Sequence, residues 1–133
     1  VSARFMLDTS FCMSLLSQRP SGLRERFNAE ADRLVLSSIA LMELFSAAAE
    51  ASDAADARRA VEDFASRFVV LDFDSRASQL AADLGQQMGR AGVAKMGYDL
   101  LVAAHARSQG LTLVTIDPDR FSEIRGLAVE KWS

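Results

Sequence analysis

The sequence predicts an α/β fold with a mainly parallel central sheet and helices on both faces. Short apolar runs alternate with longer stretches of helical periodicity, the pattern of strands joined by crossover helices. The first run, residues 4–7, leads straight into Asp8 and reads as a strand buried on both sides. The chain has 133 residues, half of them hydrophobic and a quarter charged. That is enough to bury roughly two-thirds of the unfolded surface. It is read as one domain over 1–133, with no internal repeat, low-complexity segment or linker.

After Asp8 the apolar pattern changes to helical spacing through Phe11, Leu15 and Leu16. Residues 18–22 are a turn rich in Pro, Ser and Gly, followed by a short helix with Leu23 and Phe27 inward. Residues 34–36 form a second strand, and Ser37 or Ser38 caps a helix over 39–50. That helix carries Glu43 among Ala40, Leu41, Met42, Leu44, Phe45 and Ala47. Residues 52–67 repeat the helical pattern through Ala57, Ala60, Val61 and Phe64, and 68–71 are a third strand. Asp74 caps a helix running to Met88, with Ala77, Leu80, Ala81, Leu84 and Met88 as its buried stripe, and the glycines within 89–92 end it. Residues 98–110 are a helix apolar almost all round, with Asp99 in the first turn and Gly110 as its stop. Val102, Ala103, Ala106 and Gly110 lie beneath Asp99, mostly small, so other backbone can come close beside this carboxylate. Residues 111–115 are a fourth strand, 116–120 a loop, and 127–130 an edge strand before Trp132.

The net charge is −3, from 18 acidic and 15 basic residues. A chain that held nucleic acid mainly by neutralising phosphates would be basic, which argues against generic duplex binding. A nuclease is not excluded, because bound cations reverse the sign around a carboxylate cluster. Cys12 is the only cysteine, so neither an internal disulfide nor a thiolate zinc site is expected, and a reducing compartment is. No apolar run approaches ~18 residues and no secretory leader is read. The expected location is cytoplasmic, with no membrane segment.

In such folds ligands bind outside the carboxyl ends of the strands. Asp8 follows the first strand, Asp117 the fourth, and Asp99 opens the helix leading into the fourth, so the three share one edge. Glu43, on an apolar helix with no Lys or Arg within four residues, needs a base, a proton or a metal. Oxygen-seeking Mg²⁺ or Mn²⁺ suits such a set. Each acid also has a structural reading. Asp8 and Asp99 can cap helices, Glu43 can face water or a distant ion pair, and Asp117 sits in Asp-Pro turn chemistry where Asp119 competes with it.

Leu7 to Ser10, Ser38 to Leu44, Tyr98 to Ala106 and Leu113 to Asp117, with Phe121 and the segment from Gly126 to Trp132, resemble a PIN-domain ribonuclease, and more narrowly the VapC toxins of type II toxin–antitoxin pairs. The resemblance implies an α/β/α sandwich, a Mg²⁺- or Mn²⁺-dependent endoribonuclease cleaving structured RNA, transfer RNA among its targets, a VapB-like antitoxin partner and a homodimer. By position Asp8, Glu43 and Asp99 match the family's acidic triad, and Asp117 its more variable fourth position. Ser10 stands where the family usually has Asn, and its hydroxyl has a shorter reach toward a ligand carboxylate. Lys95, Met96 and Gly97 replace a stretch that more often carries Ile-Gly or Ile-Pro, and Ile116 and Pro118 occupy a loop that is commonly more polar. The rival expectations are a catalytically silent acidic binding module and a metal-dependent DNA nuclease or phosphatase.

Other residues are read as structural. His105 lies six positions after Asp99, which turns it away from the acid. The five methionines Met6, Met13, Met42, Met88 and Met96 are read as core filler. Arg19, Arg24, Arg26, Arg58 and Arg59 are read as solvated faces, with RNA phosphate contact as the alternative, and Lys95 is the basic residue nearest the proposed site.

Overall fold

The computed structural model describes residues 3–17 and 22–132. Its centre is a five-stranded sheet of β1 (Phe5–Leu7), β2 (Leu34–Ser37), β3 (Val69–Leu71), β4 (Thr112–Thr115) and β5 (Val129–Lys131). The strand order is β3-β2-β1-β4-β5 and every neighbouring pair is parallel. Met6 sits beside Val35 on one strand and Leu113 on the other. Because side chains alternate along a strand, these three enter one core, whereas Phe5, Leu7, Leu36 and Val114 enter the core on the opposite face. β1 is buried at every position, as the unbroken apolar run requires of a central parallel strand.

Among the described residues six helices connect the strands: α1 (Thr9–Leu16), α2 (Gly22–Ala29), α3 (Ser38–Ala49), α4 (Ala54–Ala65), α5 (Ser75–Met96) and α6 (Tyr98–Ser108). α5 and α6 cover the Met6 face; α1 and α4 cover the Phe5 face, and α3 supplies Ala40 to the first core and Leu44 and Ala48 to the second. The expected α/β/α sandwich is the observed one. Side-chain oxygens of Asp8, Ser37, Asp53 and Asp74 accept from backbone amides to start α1, α3, α4 and α5, each satisfying an otherwise unpaired donor. Gly110, at φ 69°, follows the end of α6 as expected.

Several local expectations are corrected. The helix opened by Asp74 is interrupted after Met88, as expected, but a second helical segment follows it within α5. Gly89 adopts φ 77° and breaks the hydrogen-bond ladder, but the chain resumes as helix to Met96. The left-handed backbone at Gly89 is one that glycine adopts without steric cost, and the segment beyond it buries Met96 in the core shared with α6. The loop at 116–120 contains a 3₁₀ turn, Pro118–Phe121, whose Phe121 is buried. Met13 and Met42 are exposed and are not core filler, and Ala60 is likewise on the surface. Of the turn expected over 18–22, residues 18–21 lie outside the described residues, as do the side chains of Leu23 and Arg24; Gly22 opens α2.

The last described residue closes the second core. Trp132 is 1% exposed. It meets Phe5 and Phe11 edge-on at 5.0 and 5.8 Å, donates from Nε1 to Glu130 at 3.0 Å and lies under the Arg26 guanidinium at 4.7 Å. Arg26, which also pairs with Glu130, is therefore a packing residue as much as a surface one. Trp132→Ala is expected to lower stability by about 3–5 kcal/mol through the cavity it leaves. Urea unfolding checks this; a loss below about 1 kcal/mol would show that β5 and its tail are not part of the cooperative core.

Candidate active site

The strand order places a topological switch at β1. The chain runs from β1 outward through β2 to β3, then returns to lay β4 on the other side of β1, opening a crevice at the carboxyl ends of β1 and β4. Asp8 follows β1 directly, and its amide donates to the Val114 carbonyl at 2.9 Å, tying it to β4. α3 leaves the end of β2 and brings Glu43 to the same edge. α6 runs antiparallel to the strands, so its first turn, with Asp99, returns to this edge before β4 begins.

Asp8 is 2% exposed. Its carboxylate accepts from Phe11 N at 2.8 Å and from the Ser10 hydroxyl at 2.8 and 3.0 Å on its two oxygens. The short side chain of Ser10 therefore reaches the acid that the family's usual Asn would serve. Desolvation raises the pKa of Asp8, and the negative charge of Asp99 adds to it, against lowering by the bonds from Thr115, Phe11 and Ser10. Glu43 is half-buried and accepts from Thr9 Oγ1 at 2.6 Å. Its pKa is raised by burial and by the charges of Asp99 and Asp8, opposed by the Thr9 bond and by the charge of Arg120. Asp99 accepts a hydrogen bond from Arg120 Nε. Asp8, Glu43 and Asp99 thus stand within one another's electrostatic reach. Among the described residues, however, no three His, Cys, Asp or Glu side chains are already drawn around one point as tightly as a coordinated metal would hold them.

Asp117 lies apart from this trio. It is exposed, its amide donates to Thr115 Oγ1 at 3.1 Å, and its charge is not among those acting on Asp8 or Glu43. With Asp119, Arg120, Lys95 and Glu123 it lines an adjoining cleft of about 320 Å³. The choice between Asp117 and Asp119 is therefore one between two residues of the same rim. His105 is fully buried, its Nδ1 2.8 Å from Ser37 Oγ, the oxygen that also caps α3. Burial lowers its pKa, and it packs edge-on against Phe73 at 5.5 Å. It steadies the helix that carries Glu43, and the charges acting on it are those of Asp74 and Asp72, none of the three acids.

Two participants escape a reading of the sequence. Thr9 looks like an ordinary first helical residue, but it orients Glu43 from 34 positions away. Arg120 sits in an apparent loop, and only the 3₁₀ turn brings its guanidinium back to Asp99 and to the carbonyls of Lys95 and Met96. No helix among the described residues is long and apolar enough to cross a membrane.

Comparison with known proteins gives the family and the fold. The PIN domain family matches residues 5–127. A tRNA(fMet)-specific endonuclease VapC of Salmonella typhimurium is 37% identical over 97% of this chain and 98% of its own. The enzyme of the same name from Shigella flexneri is 35% identical over 98% of each. The solved structure of DNA-bound VapBC from Salmonella typhimurium superimposes with a TM-score of 0.92 over 98% of this chain and 99% of that one, at 37% identity. The family match over residues 5–127, the full-length similarity and the shared fold converge, and the chain belongs to the PIN-domain family, within its VapC ribonucleases.

Proposed function

We propose that this chain, one domain over residues 1–133, is a Mg²⁺- or Mn²⁺-dependent endoribonuclease acting as the toxin of a toxin–antitoxin pair. The observation that carries this reading is the convergence of Asp8, Glu43 and Asp99 on the switch point, with Asp8 and Glu43 desolvated and, among the described residues, no basic side chain bonded to either. Folding alone does not call for three repelling carboxylates at one edge.

The donors are all oxygen, which fits a hard divalent cation. Mg²⁺ keeps several waters and takes only one or two carboxylates directly, so a loosely gathered set suits it. Asp8, Glu43 and Asp99 would hold it, with Asp117 at the rim as a fourth acid. When bound, the ion supplies charge stabilisation at the phosphoryl group and an activated water for in-line attack. The chain's own residues prepare the rest. Ser10 and the Phe11 amide fix the Asp8 carboxylate, and Thr9 engages Oε1 of Glu43. His105 is fully buried and held on Ser37 through Nδ1, so a proton from an attacking water would pass to a carboxylate and not to an imidazole.

The substrate we propose is a transfer RNA, because two close relatives are named for cleaving one and unpaired loop bases are what such a shallow edge can read. The partner is a VapB-like antitoxin, as in the VapBC complexes that share the fold. The chain acts as a homodimer in the cytoplasm, where transfer RNA is found.

The test is to incubate the purified protein with total RNA and with single-stranded DNA, with Mg²⁺ or with EDTA, and to map the new ends. Cleavage of one or a few RNAs, lost in EDTA, is expected, and expression without an antitoxin should arrest growth. Cleavage of DNA in place of RNA would move the assignment to a DNA nuclease. Absence of any cleavage, with harmless expression, would leave an acidic binding module.

A further inference from the structure

Arg120 places a permanent positive charge among acids whose proposed task is to gather cations. Its guanidinium is held at three points. Nε donates to Asp99 Oδ2, and Nη2 donates to the carbonyls of Lys95 at 3.2 Å and Met96 at 3.1 Å. Those carbonyls end α5, where unsatisfied acceptors and the negative end of the helix dipole favour a cation. The base of the side chain is fixed by the 3₁₀ turn and its buried Phe121, and arginine stays charged at any working pH. The same charge reaches Glu43. This is an anchored group at the Asp99 side of the site, where it meets the adjoining cleft.

We propose that Arg120 serves as a built-in cation at the Asp99 end of the cluster, so that the site accepts one divalent ion, at the Asp8 and Glu43 end, and not two. The proposal rests on the metal-dependent reading above. Ionised, the three carboxylates that would hold the ion carry three negative charges; Arg120 leaves two, which one divalent ion balances, and Asp117, apart at the rim, stands outside this count. A second ion, standing ~3.5–4 Å from the first as in two-metal sites, would have to share Asp99 with the guanidinium and meet its repulsion. Removing that positive charge frees Asp99 for a second ion.

The experiment is a count of Mn²⁺ bound to the full chain by calorimetry, with free Mn²⁺ followed by electron paramagnetic resonance, for wild type, Arg120→Gln and Arg120→Lys. One ion per chain is expected in wild type and in Arg120→Lys, which keeps a charge, and two in Arg120→Gln. Thermal melts confirm that the variants are folded. Two ions in wild type would overturn the proposal whichever variants fold, and would leave the metal-dependent reading standing. Equal counts in wild type and Arg120→Gln would overturn it as well. No Mn²⁺ binding by any of the three proteins would overturn both this proposal and the reading beneath it.

Discussion

Asp8→Asn is expected to reduce RNA cleavage by about 100-fold or more, at or beyond the upper end of what is lost when groups supporting a metal are changed, while the protein stays folded. The substitution keeps the shape of a residue that is both helix cap and acid. Asn Oδ1 can still accept from the Phe11 amide, which holds α1, and the new NH₂ can donate to the hydroxyls of Ser10 and Thr115, both already near the carboxylate. What disappears is one negative charge of the cluster. In metal-free protein that loss relieves strain in the electrostatic sense. Desolvation and the Asp99 charge make the folded chain hold the Asp8 proton more tightly than the unfolded chain does. The folded state therefore binds more protons between the ordinary carboxylate range and the raised folded value, so this contribution to stability is complete on the acid side and is lost as pH rises through that window. Urea midpoints of metal-free wild type should show this decline and Asp8→Asn should lessen it, leaving the part that Glu43 contributes in the same direction. Single-turnover cleavage by Asp8→Asn near the wild-type rate would remove Asp8 from the site.

The comparison of Asp8 with Arg120 shows why some of this site was legible in the sequence and some was not. Asp8 announces itself because the apolar period changes from strand to helix at that residue, which fixes it to the end of β1. Glu43 is legible as a charge on an apolar helix without a local base, and Asp99 as an acid opening a helix that other elements approach closely. These signals are local, and parallel α/β topology carries them to one edge. Arg120 gives no such signal, because its direction depends on the path of the turn after Asp117 and on where the carbonyls of Lys95 and Met96 fall. Chain order placed Asp117 with the other acids, but the end of a strand does not dictate how far an exposed side chain stands from its neighbours. The second half of α5 was hidden for a related reason. Gly89 and Gly92 carry the local chemistry of a helix end, and the burial of Met96 in the core shared with α6, which favours a helix beyond them, is a tertiary contact that a local pattern does not display.

Glu43→Gln is expected to weaken Mn²⁺ binding and RNA cleavage together, each by about tenfold to 100-fold, and to leave metal-free stability equal or higher. Three states are open to a carboxylate on such a helix: bound to metal, bound to a proton, or turned to water. The structure shows Glu43 half-buried, with Thr9 donating to Oε1 and two other acids raising its pKa. Gln retains an Oε1 that can accept from Thr9, so the side chain keeps its orientation and the substitution removes charge without moving the group. A metal ligand then loses affinity for the ion because an amide oxygen is a weaker donor than a carboxylate, and the fold gains because a desolvated charge has gone. A protonated core acid would behave differently, with cleavage surviving and stability indifferent to Mn²⁺. A solvent-facing acid would change neither. Calorimetric titration of Mn²⁺ into wild type and Glu43→Gln, beside single-turnover cleavage and urea unfolding of both, separates the three; unchanged Mn²⁺ affinity in the variant would remove Glu43 from the ion's ligands and leave Thr9 orienting a group with no part in the chemistry.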